Sequence, residues 1–124
     1  MLVDPVAGVA SGADPAQAFS LADDLAADAA ELPHFRTVTV DTGRYHDAGA
    51  SAVQELAGAL GALAERLARS TERGLPLPAL LDNLQVHVPV STSYFVEMAK
   101  LRALRLRVPP VVDAFASETG AVSF

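Results

Sequence analysis

Tyr45, His46 and Asp47 are adjacent and place a phenol, an imidazole and a carboxylate in one short segment, Asp41-Thr-Gly-Arg-Tyr-His-Asp-Ala-Gly49. An imidazole can take up or release a proton near neutral pH, so the trio suits proton transfer or the positioning of a substrate. The alternative is that these side chains cap the next helix and hydrogen-bond one another, because one histidine beside one aspartate, with no nucleophile, completes no catalytic set. His87 lies between Val86 and Val88 and reads as a strand histidine satisfied by a neighbour, and His34 reads as a solvated turn residue. Three histidines so dispersed, without a carboxylate pair beside them, do not compose a metal site. The chain has no cysteine, which removes disulfides, zinc–thiolate sites, iron–sulfur clusters and thiol catalysis together. Nucleotide-binding glycine fingerprints, a P-loop, a nucleophile elbow and the zinc-protease helix motif are all absent from the sequence.

The remaining charges read as solvated. Lys100, Arg102, Arg105 and Arg107 form one basic cluster, expected on a helix flank or complementing a helix C-terminus. Asp23, Asp24 and Asp28 are expected to form an acidic, exposed helix face. The net charge is −6, and residues 1–50 carry all of it, with eight acids against Arg36 and Arg44. Nucleic-acid binding depends on cations that neutralise phosphates, so no nucleic-acid partner is expected. No apolar run reaches the roughly 18–20 residues of a membrane span, and the start lacks a basic leader region, so no membrane partner and a cytoplasmic location are expected.

The elements that must position these groups follow from local rules. Residues 1–14 read as a loop or weak edge segment. Asp14-Pro15 starts a helix, with aspartate accepting orphan amides and proline tolerated at the first position, and the helix runs to about Ala30 with Pro33 as its stop. Phe35-Arg-Thr-Val-Thr-Val40 alternates with period two and is β-branched, which predicts a strand. The polar loop 41–49 follows it. Ser51 and Gln54 make a capping box for a helix with a Val53, Leu56, Leu60, Leu63, Leu67 stripe and a small-residue face of Ala57, Gly58 and Gly61, closed by Gly74. A short helix is expected from Pro78 and a second strand over Leu84–Val90. After the caps Ser91-Thr-Ser93 comes a helix from Tyr94 to Arg107, with Phe95, Met98, Leu101 and Val108 on one side. Pro109-Pro110 is expected to break it, with one further turn over Val111–Ala116. Helices alternating with strands predict an α/β fold with a parallel sheet, and the scarcity of aromatics predicts a core of Ala, Leu and Val.

Two stretches are more specific than these patterns. Val40–Ala57 reads VDTGRYHDAGASAVQELA and Tyr94–Arg105 reads YFVEMAKLRALR. Together they resemble the acyl-CoA mutase barrel of methylmalonyl-CoA mutases, most closely the small (β) subunit type, over residues 36–106. The resemblance implies a partial (β/α) barrel-like segment of two to three parallel strands with three to four helices. It also implies a single domain divided into 1–35 (loop and helix), 36–108 (barrel-like segment) and 109–124 (tail). The family's cobalt ligand sits in Asp-x-His-x-x-Gly, whereas the position two before His46 is Arg44. The catalytic subunits place Tyr-His five and four residues before Ala-Gly-Ala, where this sequence has Gly43 and Arg44.

The resemblance therefore implies no cofactor bound by this chain, with adenosylcobalamin carried elsewhere in a mutase complex, and no catalytic residue beyond the candidates Tyr45, His46 and Asp47. The 124 residues amount to about half of an eight-fold barrel. The implied function is a non-catalytic scaffold paired with a catalytic mutase subunit. The alternatives are a half-barrel that completes a mutase site in trans and a self-associating α/β interaction module.

Overall fold

The computed structural model describes residues 3–32 and 35–119. Six helices and two strands follow one another: α1 (Pro5–Ala10), α2 (Pro15–Asp28), β1 (Val38–Asp41), α3 (Gly43–Asp47), α4 (Ala52–Glu72), α5 (Leu77–Asn83), β2 (Leu84–His87) and α6 (Tyr94–Thr119). The expected α/β class and parallel pairing hold, with β1 beside β2 in the register Val38↔Leu84 to Asp41↔His87. Val3 adds a single parallel bridge to Val38 on the other side of β1.

Among the described residues, six helices replace the expected three to four. Residues 3–14, expected as part of a loop or weak edge segment, are more than that, because Asp4-Pro5 repeats the grammar of Asp14-Pro15. The Asp4 carboxylate accepts from Ala7 N at 2.9 Å and starts α1. Its second oxygen accepts from Asp41 N at 2.8 Å, tying α1 to the end of β1. The polar loop after β1 winds into α3. Gly49 ends it at φ +86°, a conformation that side chains beyond glycine rarely adopt, and α4 follows directly. The Ser51–Gln54 capping box forms in both directions, and Gly74 closes the α4 end at φ +84°. The α2 helix stops at Asp28, and the expected stop at Pro33, like His34, lies outside the described residues.

The strands are shorter than the alternation suggested. Thr37 to Val40 are all buried, so β1 is covered on both faces, as a parallel strand requires. Asn83 fixes its entry: the amide oxygen accepts from Thr37 N at 3.0 Å and from the Thr37 hydroxyl at 2.7 Å.

Pro109-Pro110 does not break the last helix, and α6 runs through both prolines. Proline's fixed φ is itself helical; what it removes is an N–H, here the donors to the carbonyls of Arg105 and Leu106. Those two residues are exposed, where water can serve the carbonyls. On both sides of the prolines, Val108 before them and Val111, Val112, Phe115 and Ala116 after them pack with Leu63, Leu67 and Leu77. That burial, at about 25 cal/mol per Å² of apolar surface, favours continuing the helix through the prolines. The expected apolar face of α6 is rotated, since Phe95 and Leu101 are exposed while Glu97 and Lys100 are buried. The core is of Ala, Leu and Val, as the composition suggests, with Phe19 as the one buried aromatic among the described residues.

Candidate functional site

The segment after β1 was expected to carry the chemistry, and α3 presents it at the C-terminal end of the strand. Its three side chains part company. The Tyr45 ring lies over Gly58 of α4, so close that a Cβ built there would sit 2.7 Å from Tyr45 Cε2. The small-residue face of α4 therefore receives an aromatic ring rather than a helix backbone, and Gly61 meets nothing within 4 Å. His46 turns inward and its Nδ1 lies 2.8 Å from Glu55 Oε1. Asp47 is exposed and does not join them.

His46 is the rim of a larger cluster, and Lys100 is at its centre. Lys100 is not the solvated flank its neighbours suggested; it is 1% exposed. Its Nζ donates to Glu55 Oε2 at 2.7 Å and to the Pro89 carbonyl at 2.7 Å, and pairs with Glu97 Oε2 at 2.6 Å. Ser91, expected as a helix cap, donates to Glu97 Oε1 at 2.7 Å and accepts from Ser93 N. Three segments thus converge on one ammonium, the start of α4, the loop after β2 and the first turns of α6, and α3 joins them through the His46–Glu55 contact. Arg102, Arg105 and Arg107 remain exposed, as expected.

The electrostatics follow from burial set against pairing. Burial pushes the Glu55 carboxyl up, and the hydrogen bonds from Lys100 and His46 more than offset it, so its pKa falls below the usual 4.5. The Lys100 ammonium, then the Ser91 hydroxyl, hold Glu97 down at about 2. Burial pushes Lys100 down, and the hydrogen bonds to Glu55 and Glu97 reverse that and raise it. All three groups are charged at neutral pH and bind one another.

A second buried tie joins α2 to α4. Asp23, expected on an exposed acidic face, is 4% exposed. Its Oδ1 accepts from Arg66 Nη1 at 2.5 Å and from Ser70 Oγ at 3.0 Å, and Arg73 Nε lies 3.1 Å from Oδ2. Asp24 and Asp28 are exposed, as expected. His87 is exposed with Asp4, Thr39, Asp41 and Arg44 around a cleft of about 410 Å³ at the C-terminal end of the strands; the Thr39 hydroxyl there is buried without a hydrogen-bond partner.

Sequence reasoning missed Glu55, Glu97 and Lys100. The available signal was weak: Glu97 and Lys100 are three apart on one helix, and Glu55 falls at the Glu55, Ala59, Ala62, Arg66 spacing of α4's buried face.

The model of the methylmalonyl-CoA mutase family matches residues 12–121, beyond the 36–106 carried by the two quoted stretches. The chain belongs to the methylmalonyl-CoA mutase family. It is 34% identical over 103 residues to the methylmalonyl-CoA mutase small subunit of Streptomyces virginiae, covering 82% of this chain and 17% of that protein. With the small subunit of Propionibacterium freudenreichii subsp. shermanii the identity is 35% over 103 residues, covering 83% and 16%. The Streptomyces virginiae large subunit is 30% identical over 95 residues, covering 77% and 13%. The chain spans about one sixth of the length of the small subunits it matches. No solved structure matches it.

Within this mutase-family chain, the carboxylate that meets His46 is that of Glu55. Arg44 occupies the place of the motif's carboxylate and donates to Ser11 Oγ at 2.6 Å instead. The cleft beside Tyr45, about 350 Å³ and open, is lined by Ala48, Gly49, Ala50 and Gln54. Among the described residues no cluster of three or more His, Asp or Glu could hold a metal ion, and no helix is long and apolar enough to cross a membrane.

Proposed function

We propose that this chain is a non-catalytic, small-subunit-type segment of a cobalamin-dependent acyl-CoA mutase, a scaffold that pairs with a catalytic subunit carrying the adenosylcobalamin. One observation carries the reading. The titratable groups of the buried cluster are spent on one another: Lys100 is matched by Glu55 and Glu97, and Glu55 also holds His46. A lysine paired with two carboxylates and a backbone carbonyl has no free lone pair and no open approach. The cluster ties the post-strand segment to α4 and α6, which is a structural task. The similarity to small subunits supports the same reading.

A second reading, a half-barrel completing a mutase site in trans, is favoured by the third of the His46 side chain that stays exposed. One experiment separates the two. The chain is co-expressed with a large mutase subunit, captured through a tag, and the complex assayed with His46→Ala in place of the native residue. Scaffolding predicts co-purification and turnover within about twofold of the unaltered complex, well under the 10²–10⁴-fold an acid–base group supplies. Failure to co-purify overturns the scaffold, and a hundredfold loss with the complex intact assigns His46 to the chemistry.

A further inference from the structure

The outward faces of the two flanking helices carry opposite charge. α2 exposes Leu21, Asp24 and Asp28, which share one helix face, with Glu31 just beyond the helix end. α6 exposes Phe95, Arg102 and Leu106 on one face with Arg105 beside them, and Asp113 marks the far limit of this basic patch. The faces are apolar as well as charged: Phe95 is 83% exposed, Leu106 74% and Leu21 48%. Among the described residues, Asp24, Asp28, Arg102 and Arg105 make no ion pair. They cannot satisfy one another within a chain, because α4 lies between their helices. Its Arg66 and Ser70 reach α2 while its Glu55, Leu63 and Leu67 meet α6. On the sheet, β2 has no strand on its far side among the described residues, so one edge is open.

We infer that a second copy of this chain docks head to tail, its acidic α2 face against the basic α6 face of the first. The apolar side chains supply the burial, and the charges choose the partner face and speed the encounter. Such a contact is heterologous: each added chain leaves one α2 face and one α6 face free, so assembly continues beyond a dimer unless a ring closes. This association is independent of the mutase-subunit reading, since it needs no other protein.

Sedimentation velocity of the purified chain tests it. Association predicts species of at least twice the 12.9 kDa chain mass at low salt, dissociating as salt screens the contact. Arg102→Glu/Arg105→Glu makes both faces acidic, and Asp24→Lys/Asp28→Lys makes both basic. Each variant is expected to sediment as a single chain, with helical circular dichroism unchanged because all four residues are exposed. An equimolar mixture of the two variants restores the complementarity and is expected to associate again. A wild-type chain that sediments as one 12.9 kDa species at every concentration and salt overturns the inference. So does a charge-reversed variant that associates as the wild type does, or a mixture that stays monomeric.

Discussion

Replacing Lys100 by methionine keeps the aliphatic stem and deletes the ammonium. Glu55, 3% exposed, then loses its 2.7 Å partner and keeps only His46, and the Pro89 carbonyl loses its donor. Breaking a buried ion pair from one side costs about 3–5 kcal/mol, because the surviving charge remains desolvated. Here the half-buried His46 stands at the rim and lets water approach, so the lower end applies, about 3 kcal/mol. Against a total stability of about 5–15 kcal/mol this is a large fraction, worth roughly 10 °C in Tm for a chain of this size.

The pH dependence supplies the sharper test. In the wild type the Glu55 carboxyl is held below 4.5, so its stabilising share is full above that pH and is lost as acid protonates the folded state. Lys100 is raised above 10.5, so its share is full below that pH and is lost as alkali deprotonates the folded state. In Lys100→Met, burial acts on Glu55 with less opposition and its carboxyl moves up, so acid relieves the variant while it weakens the wild type. Urea unfolding followed by far-ultraviolet circular dichroism at neutral and acidic pH should therefore show a wide gap that narrows in acid. Lys100→Met/Glu55→Gln should recover part of the loss by removing the stranded charge. A variant as stable as the wild type at neutral pH, or a gap that does not narrow in acid, would refute the reasoning.

Two further outcomes follow from the other corrected elements. Asp23→Ala strands the buried Arg66 guanidinium and the Ser70 hydroxyl and is expected to cost about 3 kcal/mol in urea unfolding, whereas the exposed Asp24→Ala should stay within about 0.5 kcal/mol. Pro109→Ala/Pro110→Ala restores two helical donors without disturbing the packed valines on either side, and should raise stability by about 1–3 kcal/mol with a gain in helical signal; a loss would mean that the prolines shape the packing of α6.

Much of this molecule is written in short-range terms. Asp14-Pro15, Ser51 with Gln54, and Gly74 mark helix ends because each satisfies or redirects backbone groups within a few residues. The β-branched run before Asp41 specifies a strand, the alternation of elements specifies parallel pairing, and the two motif stretches point to the family that the comparison over residues 12–121 bears out. Tertiary structure decided which charges go inside. Lys100 sits 45 residues from Glu55, and Asp23 sits 43 residues from Arg66. On a helical wheel each looks like a solvated charge, because the partner that makes its burial tolerable comes from another element. The same holds for Pro109-Pro110, where the local rule counts two lost hydrogen bonds and cannot see the leucines of α4 and α5 awaiting the next two turns. Local sequence sets where the backbone starts and stops. Burial of a charge or continuation through a proline depends on a sum over distant neighbours, and that sum exists only once the helices are packed.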